Sequence, residues 1–116
     1  MSPFKNASIE VVILAPVKSF IDNLALEEKL TAFAMIKKLG ELPHSAQLVK
    51  LIDKTNRIYE VRGATKDFWI RMFWFQHKSK NQKSQVIITN GYLKKENKTD
   101  PNEVKKAEKI KNKYEA

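Results

Sequence analysis

The run Phe68–His77, FWIRMFWFQH, constrains the fold of this chain more than any other stretch. It is apolar at odd and even positions alike, a pattern expected of a central strand covered on both faces. The other elements must therefore supply its neighbours and its covers. Arg57–Arg62 (RIYEVR) alternates, with Tyr59 and Val61 on one face and Glu60 and Arg62 on the other. Gln85–Tyr92 (QVIITNGY) is a third strand, and Ser8–Leu14 (SIEVVIL), halted by Pro16, comes first in chain order. The polar, basic segment Lys78–Ser84 reads as a loop tip. Residues 41–56 are less regular, with Ala46–Ile52 either a short turn or an extended approach to the sheet.

Helical spacing fills the rest. Val17, Phe20, Ile21 and Leu24 recur on one face, as do Leu26, Leu30, Phe33, Ile36 and Leu39. Asp22-Asn23 separates them, so the spacing predicts a short helix over 17–23 and a longer one over 26–39, ended by Gly40. The last helix starts at Asp100 as N-cap, with Pro101 at its first position and Glu103 completing a capping-box pattern. Val104, Ala107, Ile110 and Tyr114 form its narrow apolar stripe, which docks on the protein. The order strand, helix, helix, strand, strand, strand, helix predicts an α+β fold. Its sheet is mainly antiparallel, with an N-terminal helical hairpin on one face and a C-terminal helix. The length of 116 residues fits one domain, spanning 1–116.

The charge points to a partner. The chain carries a net +9, unevenly spread: residues 76–116 hold eleven lysines against five acids. A polyanion follows naturally, because neutralised phosphates release counterions and strengthen binding; a solvated lysine-rich surface is the plainer alternative. Cysteine is absent, which excludes disulfides, zinc–thiolate sites and a thiol nucleophile and suits a reducing compartment. With no signal peptide and no bilayer-length apolar run, a cytoplasmic location and no membrane partner are expected.

Charges that interrupt apolar strands mark the candidate chemistry. Arg71 lies within the central strand, on the pleat face of Trp69 and Phe73, where burying a guanidinium without a partner is costly. Arg62 shares a face with Glu60, and antiparallel pairing of adjacent strands can bring the two arginines together. Arg71 then either forms an ion pair with Glu60 or Asp67, or acts with Arg62 as a phosphate clamp. After the last strand, Tyr92 is followed by Lys94, Lys95 and Lys98, a set able to hold phosphate and stack a base. Lys78, Lys80 and Lys83 on the preceding loop are further RNA contacts. His44 and His77 are isolated and lack metal-ligand spacing, so neither a metal nor a cofactor is expected.

Together, Ile58-Tyr59-Glu60-Val61-Arg62, Arg71 in an aromatic strand, and Gly91 to Thr99 with Glu103, Val104 and Ala107 resemble the RelE/ParE toxin superfamily. The likeness spans roughly residues 45–107 and leans toward the HigB-like, phage-derived branch. Asn90 stands where that branch often has His, and Asp100 comes between Thr99 and Pro101. The resemblance implies a RelE-like fold and the toxin of a type II toxin–antitoxin pair that cuts mRNA in the ribosomal A site. It also implies an antitoxin partner, for this branch usually a HigA-like helix-turn-helix protein. By position, Arg62 and Arg71 match the superfamily's strand arginines, and Lys94, Lys95 and Lys98 its basic C-terminal motif.

The expected reaction is metal-independent endoribonuclease cleavage, in which an RNA 2′-hydroxyl attacks its adjacent phosphate. It needs a base, an acid and cations for the phosphorane charge. A free lysine is a poor base at neutral pH, but clustered ammonium groups disfavour one another's charged forms, a route to one. Two other readings stand beside it: a ParE-like inhibitor of DNA gyrase, and an inactive, basic RNA-binding module of phage origin.

Overall fold

In a computed structural model of the chain, the described residues are 9–41, 49–78, 80, 84–95 and 98–116. Five strands form one mixed sheet: β1 (Glu10–Ile13), β2 (Val49–Asp53), β3 (Ile58–Ala64), β4 (Trp69–Lys78) and β5 (Ser84–Lys94). The spatial order is β1-β5-β4-β3-β2, which puts the doubly apolar strand at the centre. Pairings from β2 through β5 are antiparallel, and β1 lies parallel to β5, which makes the sheet mixed. The stretch left ambiguous at 46–52 contributes an edge strand at its end, with Val49 opposite Val61.

The helical hairpin, α1 (Ala15–Asp22) and α2 (Leu26–Glu41), covers one face. Its break falls where expected: the Asn23 side chain donates to the Ser19 carbonyl at 2.9 Å, and the Ala25 N–H donates to Glu28 Oε1 at 3.0 Å. This face holds the larger core, with Val17, Ile21, Leu39, Ile70, Met72, Trp74 and Ile88 all buried. Two glycines let helix and sheet close. A Cβ on Gly63 would lie 2.5 Å from Met35 Sδ, and one on Gly91 would lie 2.7 Å from Phe20 Cδ2.

The approach at Gly63 revises the expected stripe of α2. Ala32, Met35 and Leu39 face the sheet, whereas Leu26, Leu30 and Phe33 are 74%, 62% and 53% exposed. Small and flexible side chains suit the close contact with the glycine, and the bulkier residues turn outward.

On the opposite face lies α3 (Pro101–Glu115), packed through Val104 and Ala107 on Ile58 and Phe73. At its far end Tyr114 meets Phe75 and His77 edge-on, with ring centroids 5.8 and 5.4 Å away. Asp100 caps the start as expected, its Oδ1 accepting from the Asn102 N–H at 2.9 Å. The reciprocal half of the capping box is not made. Glu103 instead receives the Asn90 side-chain amide, at 3.2 Å on its carbonyl and 3.4 Å on Oε1, while the Asp100 N–H donates to the Tyr92 hydroxyl at 3.1 Å. Among the described residues, no helix is long and apolar enough to cross a membrane.

Candidate functional site

Strand register assembles the site. Arg62 of β3 stands opposite Arg71 of β4, which stands opposite Tyr92 of β5, so the three form one row across the sheet on the α3 face. The next row on this face toward the hairpin tip, two residues on, is Ala64, Trp69 and Lys94. The antiparallel pairing of β3 with β4 thus brings the two strand arginines together as the alternation predicted.

Glu60 lies one row inward and organises them. Arg71 Nη1 donates to Glu60 Oε1 at 2.8 Å, and both side chains are fully buried. Arg62 Nε sits 3.7 Å from the same oxygen, with 22% of its side chain exposed. Thr99 Oγ1 donates to Glu60 Oε2 at 3.1 Å, which fastens the segment ahead of α3 over the row. Two guanidinium groups thus share one carboxylate.

This arrangement corrects the phosphate-clamp reading of Arg71. The ion pair with Glu60 is the alternative that forms, because a guanidinium in a covered central strand needs an anion beside it. Arg71 positions Glu60 and Arg62 instead of facing a ligand. Arg62 carries the cluster's solvent-facing charge.

Tyr92 is also more occupied than expected. Its ring stacks on Phe73 at 5.8 Å, and its hydroxyl accepts the Asp100 N–H. Burial pushes its phenol above the usual range, so it remains protonated at neutral pH. Its first role is to anchor the start of α3.

The lysines divide into two groups. Lys94 is half-buried in the Trp69 row, Lys95 is exposed with its Nζ 5.9 Å from the Phe68 ring centroid, and Lys98 is exposed beside Thr99. Lys78 and Lys80 are exposed near the other end of β4, roughly 30 Å from Trp69 at the usual rise per strand residue. They cannot contact the same phosphate as Arg62. Lys83 and His44 lie outside the described residues.

Sequence reasoning passed over three participants. Thr99 bonds Glu60; Trp69 lies under Arg62, whose Cζ is 5.9 Å from the ring centroid; and Phe68 packs beneath Lys95. The signal for Trp69 was available, since it lies two residues from Arg71 on the same pleat face. Asn90 is 1% exposed and held beneath α3 by its bonds to Glu103. Among the described residues, no three His, Cys, Asp or Glu side chains gather where they could hold a metal ion.

The fold and this surface define a small α+β protein, with a five-stranded mixed sheet and three helices, consistent with a RelE-like fold. The chain belongs to the phage derived protein Gp49-like (DUF891) family, whose model matches residues 19–112, and that family lies within the RelE/ParE-like toxin superfamily. No curated protein and no solved structure matches it.

Proposed function

We propose that this protein is the toxin of a type II toxin–antitoxin pair, of the HigB-like branch, and acts as a ribosome-dependent mRNA endonuclease in the cytoplasm. The observation that carries the reading is the pairing of Arg62 with Arg71 around Glu60, beside Lys94, Lys95 and Lys98, at one end of the sheet. Membership of the toxin superfamily supports it.

In this reaction the 2′-hydroxyl oxygen bonds to the adjacent phosphorus, and the bond from phosphorus to the leaving 5′-oxygen breaks. A proton leaves the hydroxyl and another reaches the departing oxygen. Arg62 and the exposed lysines stabilise the phosphorane charge, with Arg71 fixing Arg62 through their shared carboxylate. Acid–base groups of modest strength suffice if the ribosome aligns the RNA, because alignment alone can supply several kcal/mol. The partner is a small antitoxin, expected to be a helix-turn-helix protein, and no cofactor enters.

The competing reading within the superfamily is gyrase inhibition. Ribosome profiling set beside a gyrase supercoiling assay separates them. Stalled translation with intact supercoiling is the expected result; inhibited supercoiling with normal translation overturns the proposal.

A further inference from the structure

The tip of the β3–β4 hairpin carries an arrangement that phosphate binding alone does not require. Two aromatic rings sit at the end of the sheet that α3 leaves open, each with a cation over it: Trp69 under Arg62 and Phe68 under Lys95. Lys94 lies directly across from Trp69 in the register. Both rings are half-buried, unlike Trp74, Phe73 and Phe75, which are fully enclosed in the core. The tip is also held in place. The Thr65 N–H donates to the Phe68 carbonyl at 2.8 Å, the Phe68 N–H donates to Thr65 Oγ1 at 3.1 Å, and the Lys66 N–H reaches Glu27 Oε1 of α2 at 3.4 Å.

We infer that Trp69, flanked by Arg62 and Lys94, is a stacking platform for an unpaired nucleobase of single-stranded RNA. This rests on the RNA-cleaving reading above and adds the residue that holds the nucleotide next to the bound phosphate. Every base presents a π-face, so an aromatic ring among cations binds single strands with little sequence preference. A guanidinium already lying over the indole can also stack on a base or contact the phosphate beside it. An acidic protein would satisfy the cations but has no need of the fixed ring between them.

The two tryptophans make the inference measurable. Trp74 is fully buried, so quenching of tryptophan emission by a short oligonucleotide reports on Trp69. The full-length protein is titrated with octauridylate, read by emission and by anisotropy of the labelled RNA, with polyglutamate as the competing polyanion. The expected result is quenching by RNA and not by polyglutamate. Trp69→Ala should bind at least about fivefold more weakly, by the usual worth of one stacked base, while retaining the near-ultraviolet signal of Trp74. Equal quenching by polyglutamate, equal RNA affinity of the variant, or no RNA binding by the wild type overturns the platform. Cleavage is scored separately in a translating extract, so wild-type cleavage with Trp69→Ala binding RNA normally would sink the platform and leave the nuclease reading intact.

Discussion

Arg71 Nη1 lies 2.8 Å from Glu60 Oε1 in a pair with no solvent contact, and Arg62 approaches the same oxygen at 3.7 Å. One carboxylate therefore governs both strand arginines, and each substitution at this point has a different consequence.

Glu60→Ala should be the most damaging. It removes the Glu60 carboxylate from the buried Arg71, and breaking a buried pair from one side typically costs about 3–5 kcal/mol. The double variant Glu60→Leu/Arg71→Met, which removes both charges and keeps the volume, should recover most of that loss. Urea denaturation of the two variants checks both. Equal stability of Glu60→Ala and wild type would mean that the pair does not hold the sheet together.

Arg62→Ala should separate function from folding. Its side chain is partly exposed, and Glu60 keeps its closer bond to Arg71. Thermal stability should change little, while mRNA cleavage falls by about 100-fold, the usual scale for losing one group that stabilises transition-state charge. Arg71→Ala is the poorer probe of chemistry, because it leaves Glu60 buried and destabilises the protein at the same time.

Tyr92→Phe removes the hydroxyl that accepts the Asp100 N–H. A loss of about 1 kcal/mol is expected for that hydrogen bond, read by denaturation, and faster amide exchange at Asp100 should accompany it. Unchanged exchange at Asp100 would contradict the anchoring role.

Acid should probe the turn that joins β2 to β3. Asn56 donates to Asp53 through its backbone N–H and its side-chain amide, each at 2.9 Å, and with Glu108 of α3 these bonds hold the Asp53 carboxyl down at about 2. A depressed carboxyl stabilises the fold above its ordinary value of 3.8, and that contribution is lost as pH falls toward about 2. The stability gap between wild type and Asp53→Asn should therefore narrow over that interval. Glu108 is shifted the other way, its proton held by the Asp53 carboxylate. Its contribution is full at low pH and disappears as pH rises through its raised value. Glu108→Gln should thus raise the melting temperature at pH 7 and lose its advantage on acidification. A pH-independent advantage would contradict the shared proton.

Much of the fold was legible because local signals and global packing agree. The two-faced run at 68–77 marked the central strand, Asp22-Asn23 marked the break between helices, and Asp100 with Pro101 marked the start of α3. The exposed stripe of α2 was misread because periodicity identifies an apolar face without showing that Gly63 invites Met35. Strand β2 was obscure because an edge strand needs little hydrophobic patterning. At the site, alternation correctly paired Arg62 with Arg71. Which arginine faces solvent depends on Thr99 and α3 closing over Glu60, a long-range contact with no local signature. Lys78 and Lys80, read as further RNA contacts, lie a strand's length from Arg62, because both ends of β4 carry basic segments.

The most direct test is primer extension on a defined mRNA in a reconstituted translation reaction, with purified protein, Arg62→Ala, and a parallel reaction lacking ribosomes. The account predicts new 5′ ends within the translated frame for the wild type, far fewer for Arg62→Ala, and none without ribosomes. Full-length mRNA throughout, with translation running normally, would contradict it.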